Sequence, residues 1–423
     1  MTVRRLRASP ARGGALHSPW GHVAQGAAAL AAGMGVGRFV YTPILPLMHS
    51  QAGLSTATGA NLATANYVGY FLGALAGILS PALVRSRATL RTGLAVLSVS
   101  LAAMPAAQEA AVWIVLRLCA GVSSALIFVI AAGSLFSRLR EHPAHLPGWA
   151  FGGVGAGIAL SGLLVLALRS VADWRTAWWA SAALAALLAA VAWNLRPEAA
   201  PTAAAASGAA AAEGPMLRKR RWFGALFASY VLEGVGYIVA GTFLVAAIEQ
   251  SSPGWIGSGA WVLVGLAAVP SSALWARFGR RWSRPDLLLA ALVIQAVGIA
   301  LPAVVPGVAA ALASAVLFGA TFIGISTLAL ATGAHLRFPR SVALLTAGYS
   351  VGQILGPLAV TPLLHHGYHQ ALILAAVVVL AAACAAAVLR IGFPHHTVVV
   401  REATPIRSPA PTDDDPAADR RRL

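Results

Sequence analysis

The sequence predicts an all-α polytopic membrane protein, with twelve transmembrane helices in two pseudo-symmetric six-helix bundles. Three observations predict it. Of 423 residues, 58% are hydrophobic and only 10% are Asp, Glu, Lys or Arg, where a soluble domain carries about 25% charged residues. The apolar residues fall into runs long enough for a ~30 Å hydrocarbon core, which takes roughly 20 helical residues. The first half of the chain also aligns on the second at one offset. Lipid leaves only helices or closed barrels, and runs this long and continuous are not barrel strands.

Spans are expected near 22–48, 57–82, 90–107, 110–136, 148–169, 174–195, 222–248, 257–277, 286–304, 308–335, 341–364 and 370–391. The first reads GMGVGRFVYTPILPLM around Arg38. Arg at a helix centre costs about 2.5–3.5 kcal/mol on insertion scales, so such a residue is expected to have a partner and a task. Pro43 and Pro46 loosen the same helix and free carbonyls that neighbours or cavity water must satisfy. The second span carries Asn61, Asn66, Tyr67 and Tyr70, with Asn66 and Tyr70 on one face. Arg117, in the fourth, stands close enough to an end to snorkel. Gly153 and Gly157 in the fifth form a small-xxx-small pair. The seventh, SYVLEGVGYIVAGTFL, holds Glu233, a carboxylate deep in a span. Tyr349 and Gln353 share a face of the eleventh.

Elsewhere the expectations are plainer. Trp149, Trp174, Trp178 and Trp179 lie near span ends and read as interfacial belts. Cys119 and Cys384 fall within spans and read as small buried hydrophobes. His365, His366 and His369 occupy a short loop without a nearby carboxylate or thiolate, so neither a metal site nor a cofactor is expected.

The net charge of +17 suggests nucleic acid until its distribution is read. With the N-terminus inside, cytoplasmic segments hold 26 of the 30 Lys and Arg residues, while outer loops hold only Arg169 and Arg175. This is the positive-inside pattern, with both termini cytoplasmic. The expected location is the bacterial cytoplasmic (inner) membrane, and no nucleic-acid partner is expected. Residues 1–21 read as a cytoplasmic tail before a retained helix, 197–221 as an Ala-rich basic linker, and 395–423 as a solvated Pro-rich tail. The bundles are then 22–196 and 222–394.

Gly35-Val36-Gly37 returns as Gly234-Val235-Gly236, 199 residues on. The same offset relates Gly153 and Gly157 to Gly352 and Gly356, Arg138 to Arg337, and Arg85 to Arg284. Duplicated halves about an axis along the membrane normal, with a midplane site between them, are a transporter architecture.

The layout and loop charges resemble the major facilitator superfamily over about residues 20–393. Arg277-Phe278-Gly279-Arg280-Arg281 resembles its D-R-x-G-R-R/K loop, with Ala276 in place of the Asp. The resemblance implies that Arg277, Gly279, Arg280 and Arg281 form a gating loop. Arg85 to Arg91 keeps the cations of the counterpart loop but lacks the Asp and the Gly-Arg pair. Arg117-Leu118-Cys119-Ala120-Gly121 resembles the fourth span's R-x-x-x-G, which implies a part for Arg117 in proton coupling. Gly352 to Pro357 resembles the antiporter G-x-x-x-G-P but sits in the eleventh span, with Ile158 where the fifth would carry Pro. The spans around Arg38 and Glu233 resemble the YbfB/YjiJ-type bacterial branch.

The repeat maps Arg38 onto Tyr237 and Met34 onto Glu233. The two charges are therefore expected on matching stripes facing one cavity, about one helical turn apart along the normal. Candidate solute-binding residues are Arg38, Tyr41, Asn66, Tyr70, Tyr237, Tyr349 and Gln353, and candidate proton-coupling residues are Glu233 and Arg117. The expected function is secondary transport by alternating access, coupled to protons, of an anionic or zwitterionic solute suited to Arg's planar fork. Its partners are that solute, protons and lipids, and the expected state is a monomer. Three alternatives stay open at this level: an integral membrane enzyme acting on lipid-linked substrates, a non-transporting sensor and a facilitative uniporter. Arg38 could instead clamp backbone carbonyls, and Glu233 could be a silent packing residue. No P-loop is present, so ATP is not the expected direct energy source.

Overall fold

The computed structural model describes residues 19–139, 142, 145–197, 216–252, 254–279, 281–336, 338 and 341–393. Among these, twelve helices are long and apolar enough to span a membrane. They are α1 (Pro19–Ala52, interrupted), α2 (Thr56–Leu79), α3 (Arg87–Ala106), α4 (Ala110–Arg138), α5 (His145–Leu168) and α6 (Trp174–Ala192). The second six are α7 (Met216–Ser251), α8 (Gly254–Phe278), α9 (Arg284–Val304), α10 (Val308–His335), α11 (Ser341–Val360) and α12 (Tyr368–Leu389). The expected spans agree to within a few residues. The basic run Arg218 to Arg221, expected in the linker, lies within α7. The flanking 1–18, 198–215 and 394–423 fall outside the described residues.

Local chemistry sets the helix starts. Ser55, Ser86, Asp173 and Ser283 each accept the backbone N–H three residues on, filling donors that a first turn leaves open. The Thr176 amide and hydroxyl hold the Asp173 carboxyl below its usual range. That cap is therefore complete at neutral pH and is lost only as acid protonates the carboxylate. Gln51 and Gln250, 199 residues apart, do the same work at longer range. Gln51 Oε1 accepts from the Trp174 amide at 2.7 Å, and Gln250 Oε1 from the Tyr368 amide at 3.0 Å. The first helix of each half thus caps the last.

The halves repeat one pairing scheme. In the first, α1 packs on α5 and α6, α2 on α4, and α3 on α4 and α6; in the second, α7 packs on α11 and α12, α8 on α10, and α9 on α10 and α12. Between halves, α5 meets α8 and α2 meets α11, contacts that exchange under the same two-fold. Gly148, Gly152, Gly155 and Gly162 set the α5–α8 seam against Ala273, Val269, Gly265 and Val262. Their spacing of three, four and seven keeps one face toward the partner. Sequence reading missed this stripe because the chain has 42 Gly and the pair at 153 and 157 stood out first.

That pair faces α1, where a Cβ on Gly153 would lie 2.2 Å from the Ala27 carbonyl and one on Gly157 2.6 Å from that of Ala31. Gly153→Ala is therefore expected to lower the thermal midpoint of the purified protein, by overpacking that costs about 1–3 kcal/mol. Gly224→Ala, with nothing within 4 Å, should leave the midpoint unchanged, and equal shifts would contradict the close approach. Gly352 and Gly356 perform the same task on α7, but against Val231 and Val235. The residues 199 after Ala27 and Ala31 are Leu226 and Tyr230. The contact has slid five residues, so the eleventh-span glycines share the role of the fifth-span pair without being its positional equivalents.

Two other expectations need correction. Trp149 and Trp179 are exposed, as belt residues should be, but Trp174 and Trp178 are buried. Trp174 packs edge-on against Trp113 at 5.7 Å, and Trp178 lies beside Tyr41. Four residues apart, they share the face of α6 that is turned into the bundle. Cys119 is half-buried and Cys384 exposed, because Cys384 falls on the outward face of α12.

Candidate solute site

The break in α1 creates the site. Residues Ala31–Val36 form a wide π-type turn, with Gly37 N–H bonding to Ala32 and Phe39 N–H to Met34, and regular helix resumes at Tyr41. Such turns cluster at functional positions. Pro43 lacks the N–H that would bind the Phe39 carbonyl. Thr42 N–H takes that carbonyl instead, at 3.2 Å, which leaves the Arg38 carbonyl without its normal partner. Arg117 supplies the replacement, donating from Nη1 to Gly37 O and from Nη2 to Arg38 O, each at 3.3 Å. Only 1% exposed, Arg117 does not snorkel. The carbonyl clamp considered for Arg38 is made by Arg117.

Arg38 is thereby free to face the other half. It is 2% exposed, and its Nη2 donates to Gln353 Oε1 on α11. Its Nε and Nη1 have no partner. The guanidinium carbon lies 4.5 Å from the ring centre of Tyr70, 4.8 Å from Tyr67 and 5.5 Å from Phe39, a cation–π enclosure. Beside it, Thr42 Oγ1 donates to Gly241 O, a contact between residues 199 apart. The α1/α7 register read from sequence thus meets itself near the two-fold axis.

Glu233 is fully buried one turn before Tyr237 on α7. Gln295 Nε2 on α9 donates to its Oε1 at 3.4 Å, while Glu233 Oε2 and Gln295 Oε1 are unpartnered. No direct ion pair joins it to Arg38; the ion pairs found among the described residues are Arg169–Glu249 and Arg390–Asp286. Tyr237 and Tyr349, stacked at 5.4 Å, neighbour both charges. Instead of facing each other across an open cavity, Arg38 and Glu233 are joined through an arginine–tyrosine–carboxyl arrangement, with Gln353 beside Arg38 and the rings of Tyr237 and Tyr349 next to both.

Five of the seven expected solute-binding residues, Arg38, Tyr70, Tyr237, Tyr349 and Gln353, therefore gather where the halves meet. Tyr41 and Asn66 do not. The Tyr41 hydroxyl donates to Gly59 O at 2.8 Å, and its ring lies under Arg117. Asn66 Nδ2 donates to Arg117 O at 3.0 Å within the α2–α4 contact. Sequence reasoning missed Gln295, whose signal was a single amide in an apolar run, and gave no site role to Tyr67 or Tyr230. Of the loop residues, Arg277, Gly279 and Arg281 are exposed between α8 and α9, and Arg280 lies outside the described residues.

Further polar contacts join the halves on the Arg-poor side of Arg38. Tyr67 Oη and Thr242 Oγ1 are 2.7 Å apart, the Tyr368 hydroxyl meets His49 Nε2 at 3.0 Å, and Arg169 pairs with Glu249 at 3.0 Å. Close to them a cleft of about 450 Å³ is lined by Pro46, His49, Thr56, Glu249 and Tyr368. These contacts hold the halves together on that side.

No curated protein matches the chain. Among solved structures, a mutant of the nucleoside transporter NupG aligns with a TM-score of 0.62 at 14% identity, covering 86% of this chain and 99% of that one. At that identity the likeness establishes the fold, that of an MFS transporter. The family described as "Uncharacterised MFS-type transporter YbfB" matches residues 30–388. A buried charged site between duplicated halves, the shared fold and this match lead to one assignment: the chain belongs to the YbfB-type family of MFS transporters.

Proposed function

We propose that the protein is a proton-coupled secondary transporter that moves a small anionic or zwitterionic solute by alternating access. Membrane transport follows from the family; the coupling and the solute are our reading. One observation carries it. Where the halves meet, a buried arginine keeps two unpartnered nitrogens, and within the second half, next to the same tyrosines, a buried glutamate keeps one unpartnered oxygen. Burying an unpaired charge is costly, so both groups favour an incoming partner. Arg38 takes the solute's anionic group, and Glu233 takes the proton. Tyr237 and Tyr349 link the two, so that occupancy at one end bears on the other. Arg117 acts through the α1 break that it holds, and the loop of Arg277, Gly279, Arg280 and Arg281 acts as the gate on the basic face. The bundles 22–196 and 222–394 rock against each other about the site, in the bacterial inner membrane, as a monomer with both termini cytoplasmic.

Reconstitution into sealed vesicles tests this. Small carboxylates should enter saturably, faster with an inward proton gradient, and Arg38→Ala should abolish entry. Uptake indifferent to the gradient would leave a uniporter, and a chemically altered product would favour the enzyme reading.

A further inference from the structure

The second half contributes an unusual wall to the site. Tyr230 and Tyr349 stack at 4.3 Å, Tyr349 and Tyr237 at 5.4 Å, Tyr237 and Phe322 at 6.0 Å, and Phe322 and Phe318 at 5.5 Å, with interplanar angles of 10–15°. These five rings, from α7, α10 and α11, form a ladder of nearly parallel faces. The wall opposite belongs to the first half and carries Arg38 among Phe39, Tyr67 and Tyr70. The single hydrogen bond to Gln353 leaves an open donor on each edge of the guanidinium. A carboxylate arriving at either edge completes a two-bond fork by sharing or displacing the Gln353 amide oxygen.

From this we infer that the solute is a planar aromatic or heteroaromatic carboxylate. Its carboxylate sits on Arg38 and its ring between the ladder and the Arg38 wall as the halves part. The inference rests on the carrier reading above and names its substrate class. Three features separate this class from others. A cationic solute would meet Arg38, which already fills the aromatic enclosure. A neutral ring would leave the guanidinium edges unpaired in a dry site, the costlier outcome. A saturated acid would satisfy Arg38 but lose the contacts that the edges and open faces of these rings offer a flat aromatic guest. Two such contacts correspond to roughly a tenfold preference.

Thermal-shift titration of the purified protein in detergent reads this directly, with benzoate and indole-3-carboxylate as probes and cyclohexanecarboxylate and benzamide as controls. The planar acids should bind at least about tenfold more tightly than the saturated acid, and benzamide should give no shift. Tyr237→Leu and Tyr349→Leu should each reduce that preference while acid binding persists, and Tyr237→Phe should retain it. Equal affinity for flat and saturated acids, or no binding by either planar acid, overturns the inference. If a saturated acid still drives gradient-dependent uptake in vesicles, the carrier reading survives; if no carboxylate moves, both fall.

Discussion

Glu233→Gln should lower proton-driven uptake by roughly tenfold or more while solute exchange at equal pH continues. The substitution is nearly isosteric, and an amide at this position can still meet Gln295, whose own oxygen is unpartnered in the native protein. What disappears is the ability to ionise. The Arg38 end of the site is untouched, so solute can still bind and cross in exchange for solute. Vesicle uptake with and without an imposed gradient separates the two activities. Loss of both together would assign Glu233 to packing, and full gradient-driven uptake in the variant would remove it from proton handling. Gln295→Leu supplies an intermediate case. It strips Glu233 of the hydrogen bond from Gln295, so the pH at which gradient dependence is half-lost should move while maximal exchange stays.

Arg117→Ala is expected to be among the most destabilising single changes in the chain. Two hydrogen bonds from a charged donor, each worth roughly 1.5–3 kcal/mol, would vanish. The Gly37 and Arg38 carbonyls would be left bare in a dry interior. Arg117→Lys should recover only part of the loss, because a point ammonium lacks the fork that spans consecutive carbonyls. Thermal unfolding of purified variants orders them: native highest, lysine between, alanine lowest or not recovered. The lysine variant, where folded, should retain the native pH profile of uptake. A displaced profile would place Arg117 in the proton path rather than in support of Arg38.

Much of this was written in residue order, and the exceptions are instructive. Length and polarity sufficed for the helices, because lipid enforces a strong rule on backbone groups. The internal offset correctly aligned α1 with α7, since a direct contact between Thr42 and Gly241 holds that register. It failed between α5 and α11, where glycine matched glycine but the neighbours lie five residues further along. Arg38 and Glu233 were conspicuous as lone charges. Their relation to each other was not legible, because side chains from α7 and α11 come between them and sequence spacing carries no information about inter-helix contact. Tyr41 lies three residues from Arg38, yet its side chain serves the Arg117 clamp. The irregular backbone from Ala31 to Val40 rotates that stretch away from where a regular helix would aim it.

The paired glutamine caps have a mechanical consequence. By fastening the C-terminal end of α1 to α6 and of α7 to α12, Gln51 and Gln250 turn each set of six helices into a closed hoop. A hoop resists shear among its own members, so displacement is directed to the boundary where the hoops touch. There, between glycine-lined faces, the proposed tilt of one body on the other would break only side-chain links and leave each body intact.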